Sequence, residues 1–323
     1  MPIIESKFKP PFFFRQTDIA TIFSAKIRKV KGVQQKRERL EFSDGDFADL
    51  DWSYGTDKTD TCILLLHGLE GAADRAYILG TAKYFNKAEI DVCAMNFRSC
   101  SGELNRTFGC YHSGKTDDVL EVLQYLIKEK HYKKIILKGV SLGGNVALKL
   151  VGDNIGIPTE LKAVVAVSTP CDLAGSAKAI ISRRNIIYGY NFHRHLIKKL
   201  KNKQKLYPDK ISDEQIKSVK NLMDFDDLYT SVAHGFENAA DYYAQCSSLN
   251  VLENIKIPTL ILNAKNDSFL SDKSYPYEIA MNHEYLYLET PKYGGHVAFW
   301  QKNNVYYNEQ RALEFVTPFI KNT

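Results

Sequence analysis

Four short runs, TCILLLHG, DVCAMNF, KKIILKGV and LKAVVAVSTP, constrain the fold of this 323-residue chain more than any other feature. Each is largely apolar at consecutive rather than alternate positions, so as a strand it needs cover on both faces. Helical patterns separate them: RAYILGTAKYFNKA, then TDDVLEVLQYLIKEK, then GGNVALKLVGD. In the second of these Val119, Leu123, Leu126 and Ile127 share one helical face. Strand and helix in alternation imply a parallel sheet wrapped by helices. Upstream, RERLEFS and FADLDWSY flank Asp44-Gly45 and predict a β-hairpin. Downstream, IPTLILNAKND and EYLYLETP predict two more strands, and a last helix runs from about Asn304 to Ile320.

The expected architecture is therefore α/β: an eight-stranded, mostly parallel sheet. The alternation stops between strands six and seven. Residues 172–250 are Tyr-rich, basic and helical in pattern, with no convincing strand. The chain is expected to divide into a core of residues 1–171 and 251–323, with an N-terminal arm 1–36, and a helical cap insert 172–250. Active sites of open α/β sheets lie at the carboxyl ends of the strands, where such an insert would cover them. Its aromatic residues include Tyr188, Tyr190, Phe192, Phe225, Tyr229 and Tyr243. Most should hold the cap together, and a few should line an apolar pocket.

One motif carries chemistry. Gly139-Val140-Ser141-Leu142-Gly143 is G-x-S-x-G placed between a strand and a helix. A sharp turn there lifts the serine hydroxyl to the top of the sheet, and small neighbours leave room for the crowded backbone. A serine is a poor nucleophile without a base. In this arrangement the acid and the histidine follow later in the chain, in that order. Asp267 directly follows the strand TLILNAKN, with Asp272 as a rival in the same loop. His296 stands in YGGH after the last strand. The backbone amides of Leu142 and Leu69, the latter in HGLEG, are the candidate oxyanion donors. His67 is expected to brace that loop, Arg98 to tie loops or bind a carboxylate, and His112 to be non-catalytic. His131 and His283 are expected on the surface. No metal or organic cofactor is required by this chemistry.

Composition excludes little. The net charge of +5 is concentrated in stretches such as Lys26–Arg39 and His193–Lys205. Without a stronger bias and interleaved aromatics, it argues for solvated basic faces, with weak attraction to anionic lipid as the alternative, and against a nucleic-acid partner. Six scattered cysteines without a C-x-x-C pair suggest reduced thiols, a cytoplasmic location and no zinc site. The start, MPIIESKFKPPFFFRQ, is too polar for a secretory signal, and no run approaches the roughly 20 apolar residues of a membrane span. Phe12-Phe13-Phe14 is expected to pack on the body, with contact to lipid or a partner as the alternative.

HGLEG, NFRSCSGE, YHSGKTDDV, GVSLGGN, FDDLYTSVAHGFENAADYY, PTLILNAKNDSFL and YGGHVAF, in this order, resemble the YheT-like branch of the α/β hydrolases. The resemblance runs from about residue 10 to 320; Cys100 stands where that branch more often has glycine. It implies the α/β-hydrolase fold, with Ser141, Asp267 and His296 matching the family's triad. It also implies a serine esterase acting on short- to medium-chain acyl esters. The alternatives are an acyltransferase using the same triad and a non-hydrolytic ligand-binding protein. The expected partners are a small acyl ester and, at most, a peripheral membrane contact.

Overall fold

The computed structural model of the chain describes residues 2–321. The chain opens with β1 (Ile3–Ile4) and α1 (Thr17–Ile22), then forms the hairpin β2 (Lys36–Glu41) and β3 (Phe47–Ser53). There follow β4 (Thr61–Leu66), α2 (Ala76–Asn86), β5 (Asp91–Asn96), α3 (Thr116–Lys128), β6 (Lys134–Val140), α4 (Leu142–Asp153) and β7 (Leu161–Val167). Six helices come next: α5 (Leu173–Ile181), α6 (Ile186–Leu206), α7 (Asp213–Ser218), α8 (Leu222–Phe225), α9 (Ser231–His234) and α10 (Ala239–Cys246). The chain closes with β8 (Thr259–Leu262), α11 (Tyr277–Met281), β9 (Leu286–Glu289) and α12 (Tyr307–Ile320).

Among the described residues, nine strands make one sheet in the order β1-β9-β8-β7-β6-β4-β5-β3-β2. Only β3 pairs antiparallel, with β2 and β5. The apolar runs are explained by cover on both faces: Cys62, Leu64 and Leu66 enter one core cluster, Ile63 and Leu65 the other. The expected count of eight strands falls one short. The ninth is β1, which pairs parallel with β9 through Ile3 and Ile4. Two residues are too few to show any period, so nothing local announces this strand. The buried Glu289 at the end of β9 reinforces that edge by accepting from Ser6 Oγ, Tyr307 Oη and Arg311 Nε.

The stretch between β7 and β8 is helical, with no strand among the described residues. It packs through two small apolar clusters of its own, one around Leu196, Leu200, Phe225 and Tyr229, the other around Leu173, Tyr242 and Tyr243. Its tyrosines also grip the loop after β5: Tyr229 Oη donates to the Phe108 carbonyl, and Tyr242 Oη accepts from Ser113 N–H. The basic stretch 193–205 is only partly the solvated face expected. Lys199 and Lys203 are buried, and Lys203 Nζ donates to Asn105 Oδ1 and the Thr107 carbonyl. These partners lie about a hundred residues upstream, beyond any local pattern. No helix among the described residues is long and apolar enough to cross a membrane.

In the N-terminal arm only Phe14 packs as expected, stacked on Trp300 at 4.4 Å. Phe12 and Phe13 stay 76% and 73% exposed. All three lie in one tight turn, Phe12–Arg15, whose successive side chains splay apart, so a single ring can face inward.

Arg98, in the loop after β5, is a tie between distant segments. Buried, it pairs bidentately with Asp118 in α3 at 2.6 and 2.7 Å and reaches Asp44 and Asp46 in the hairpin turn. Four of its five N–H donors are taken by these carboxylates, which favours the tie over a substrate-binding role. Arg98→Met should therefore destabilise the fold by about 3–5 kcal/mol, because Asp118 would be buried without its partner. Arg98→Lys should recover only part of this, lacking the planar fork. Urea unfolding checks both; unchanged stability in Arg98→Met would return Arg98 to the list of ligand-binding candidates.

Candidate active site

Ser141 joins β6 to α4 with φ 54° and ψ −120°, a conformation side chains rarely adopt. Neighbouring bonds hold it there. Its N–H donates to the Val167 carbonyl at 2.9 Å, and its carbonyl accepts from Gly144 and Asn145. The flanking glycines are steric necessities: a Cβ on Gly139 would strike the Gly143 carbonyl, and one on Gly143 would come 2.6 Å from the His67 carbonyl.

His296 lies in the loop between β9 and α12. Its Nε2 is 3.0 Å from Ser141 Oγ, and its Nδ1 is 2.8 Å from Asp267 Oδ2. A carboxylate only accepts, so Nδ1 carries the proton and Nε2 turns its lone pair to the serine. The second Asp267 oxygen takes the Phe269 N–H at 3.0 Å. Asp267 is buried and Asp272 exposed, at the start of a short turn and without a bond to His296 among the described residues. The structure thus brings Ser141, His296 and Asp267 together and leaves Asp272 outside.

Phe269 lies against the His296 ring, 4.5 Å between centroids, and Tyr188 and Phe192 of α6 pack on Phe269 at 4.8 and 6.1 Å. Of the aromatics expected to approach the site, these two reach the His296 ring through Phe269. Phe225, Tyr229 and Tyr243 are buried within the insert, and Tyr190 is exposed.

Three residues that the sequence did not single out hold the histidine loop, and a fourth, Thr17, holds one of them. Thr21 Oγ1 in α1 accepts the His296 N–H at 3.0 Å, and Ser168 Oγ accepts the Val297 N–H at 2.9 Å. Asn266 Oδ1 accepts the Gly295 N–H, while its carbonyl takes the Thr17 hydroxyl. The N-terminal arm is therefore part of the support of this site. No motif could have disclosed it, since Thr21 and His296 are 275 positions apart.

The loop after β4 passes over Ser141 so closely that a Cβ on Gly68 would lie 3.2 Å from Ser141 Cβ. Gly68 N–H donates to Tyr77 Oη and Glu70 N–H to Tyr111 Oη. Between them the Leu69 amide, like that of Leu142, has no hydrogen bond among the described residues. Glu70 is fixed by the Tyr111 hydroxyl and by an ion pair with Lys199 of α6. Burial pushes the Glu70 carboxyl up and the Lys199 ammonium down, but their mutual attraction outweighs it: Glu70 ends below, and Lys199 above, its ordinary value.

His67 braces the same loop. Its Nδ1 donates to the Gly68 carbonyl at 2.8 Å, and its Nε2 accepts the Phe97 N–H at 3.1 Å. His112 is half-buried beside His234, with ring centroids 4.4 Å apart. His131 is exposed as expected, whereas His283 is half-buried and accepts the Tyr285 and Leu286 amides. Among the described residues no group of three His, Cys, Asp or Glu could hold a metal ion, and all six cysteines are free.

A parallel sheet with a serine turn at the end of β6, and an acid and a histidine presented after β8 and β9, defines an α/β hydrolase. Residues 61–303 match the family described as alpha/beta hydrolase fold. YheT of Escherichia coli (strain K12), a protein designated an esterase, is 34% identical over 303 residues, covering 91% of this chain and 87% of that one. Phospholipase ABHD3 of Mus musculus is 26% identical over 306 residues, 92% of this chain and 74% of that one. The yeast (Saccharomyces cerevisiae) monoacylglycerol lipase is 26% identical over 254 residues, 76% and 56% of the two chains. An esterase structure from Pyrococcus furiosus superposes with a TM-score of 0.61 at 16% identity, covering 90% of this chain and 92% of that one, a likeness of fold. The chain belongs to the α/β-hydrolase superfamily, in its YheT-like branch.

The bonding of His67 has a consequence for pH. Burial lowers its pKa from the usual 6.5 to about 4, because a second ring proton would face the Phe97 N–H. The unfolded histidine protonates near 6.5 while the folded one stays neutral. The stability that His67 contributes is therefore complete above pH 6.5 and lost as pH falls toward 4, by about 1.4 kcal/mol per pH unit. His67→Gln keeps a neutral donor and acceptor but does not titrate. The stability difference between wild type and His67→Gln should shift by about 2 kcal/mol against the wild type between pH 7 and pH 5. Urea unfolding at the two pH values measures it, and an unchanged difference would contradict the neutral, doubly bonded histidine.

Proposed function

We propose that this protein is a serine esterase that cleaves carboxylic esters of short to medium acyl chains through an acyl-enzyme. The observation that carries the proposal is the unbroken series of hydrogen bonds from Asp267 through His296 to Ser141 Oγ. His296 Nε2 takes the hydroxyl proton as Ser141 attacks the ester carbonyl. The amides of Leu142 and Leu69 receive the developing oxyanion, and Asp267 steadies the imidazolium. His296 then protonates the leaving alcohol. The same imidazole activates a water that releases the acid and restores Ser141. Relatives named esterase, phospholipase and monoacylglycerol lipase support an ester substrate. Residues 172–250 act in this proposal as a cap whose Tyr188 and Phe192, beside Phe269, bound the acyl site. Free thiols at every cysteine support a cytoplasmic location.

Ser141→Ala should fold normally, lose fluorophosphonate labelling and lower turnover of p-nitrophenyl esters by roughly 10⁴- to 10⁶-fold. Labelling that persists in Ser141→Ala would overturn the assignment of the nucleophile. Asp267→Asn should lower turnover by roughly 10⁴-fold, as removal of an orienting carboxylate does elsewhere, while Asp272→Asn should be nearly neutral. Across a series of acyl lengths kcat/KM should first rise, by about 0.8 kcal/mol of transition-state stabilisation per buried methylene, and then stop. A profile still climbing at long chains would refute a bounded acyl site.

A further inference from the structure

Charge is strongly segregated along this chain. From Leu173 to Leu206, the span of α5 and α6, there are nine Lys and Arg and no Asp or Glu. From Lys7 to Lys36, the N-terminal arm, there are eight Lys and Arg and one acid, Asp18. These two stretches hold 17 of the chain's 43 basic residues and one of its 38 acidic ones, so the rest of the molecule is net acidic. Arg28, Lys199 and Lys203 are buried, and the others stand at the surface.

The two stretches meet in the fold. Asp18 in α1 accepts from Arg184 at 2.9 and 3.1 Å and from Tyr188 Oη at 3.1 Å, joining the arm to the start of α6. Around this junction large apolar side chains stand in solvent: Phe12 and Phe13 in the arm, Ile19 and Ile22 beside Asp18, and Ile186 and Ile187, 68% and 73% exposed, on α6. Tyr188 turns toward Phe269, which leaves Ile186 and Ile187 on the outer side of the helix. Single exposed apolar residues are ordinary, but six gathered among cations on two adjoining segments are not. The junction also borders the site, since Thr21 holds His296 and Tyr188 packs on Phe269.

We propose that this surface, the N-terminal arm together with the start of α6, docks the protein on an anionic lipid bilayer. Phe12, Phe13, Ile186 and Ile187 would enter the interface, while Arg15, Lys26 and Arg183 meet the headgroups. Apolar side chains interleaved with Lys and Arg, with Asp18 as the one acid and that one paired with Arg184, are the composition that partitions into the boundary of an anionic leaflet. Charge complementarity favours that occupant over a second copy of the chain, whose matching face would be equally basic.

Sedimentation with vesicles tests the inference, and the Ser141→Ala protein is used in parallel so that the result is independent of any hydrolysis. Vesicles of phosphatidylcholine and phosphatidylglycerol should carry the protein down, those of phosphatidylcholine alone should bind it roughly tenfold less, and added salt should release it. Phe12→Ser/Phe13→Ser and Ile186→Ser/Ile187→Ser should each weaken binding roughly tenfold or more, with hydrolysis of a water-soluble p-nitrophenyl ester unchanged. Ile155→Ser/Val232→Ser, which alters apolar residues just as exposed but elsewhere, should bind as wild type does. The inference is overturned by absence of binding to the anionic vesicles, by insensitivity to both arm and α6 variants, or by an equal loss in the control. Retention on heparin without retention on vesicles would assign the charge to another polyanion and equally overturn it.

Discussion

The structure depends on one crowded crossing, where the turn between β6 and α4 passes beneath the loop after β4. Ser141 holds a backbone conformation that costs about 1–3 kcal/mol and persists only where its surroundings over-determine it. Bonds to Val167, Gly144 and Asn145 do so, and Gly139, Gly143 and Gly68 keep the approaching backbones from colliding. The same closeness brings the loop that carries Leu69 over Ser141, whose hydroxyl meets His296 Nε2 at 3.0 Å. Substituting a larger residue at Gly139 or Gly143 would disturb that geometry before it touched any side chain of the site.

Around the crossing, polar groups of high sequence separation act as ties. Glu70 and Lys199 join the loop above Ser141 to α6, and Arg98 joins the hairpin turn to α3. Thr21 and Ser168 anchor the loop that carries His296. Buried ion pairs contribute little net stability, because desolvation offsets most of their attraction. Each instead has one geometry that satisfies it, and losing one partner is costly. The site is thereby held from the core, the insert and the N-terminal arm together.

That convergence links the candidate chemistry to the surface. The arm supplies Thr21 to the histidine loop and Phe12 and Phe13 to solvent. Helix α6 supplies Lys199 and Tyr188 inward and Ile186 and Ile187 outward. A surface that engages lipid through these two segments would do so beside the serine, where an ester leaving a membrane would arrive.

Local signals were sufficient for a large part of this. Consecutive apolar residues in β4–β7 marked buried parallel strands, because a strand covered on both faces has no polar side to show. G-x-S-x-G at a strand–helix junction, an Asp at a strand end and a His between glycines singled out Ser141, Asp267 and His296, since backbone crowding and reach restrict which residue types can stand there. Tertiary structure decided what no local pattern contains. It paired Ile3–Ile4 with β9, buried Lys199 and Lys203 in a stretch that reads as solvated, and turned Phe14 inward but Phe12 and Phe13 outward. It also brought Thr21 to the backbone of His296. Periodicity and motif record what a residue's chain neighbours require. Which distant groups satisfy a buried charge or an amide is fixed only when the packed chain brings them within about 3 Å.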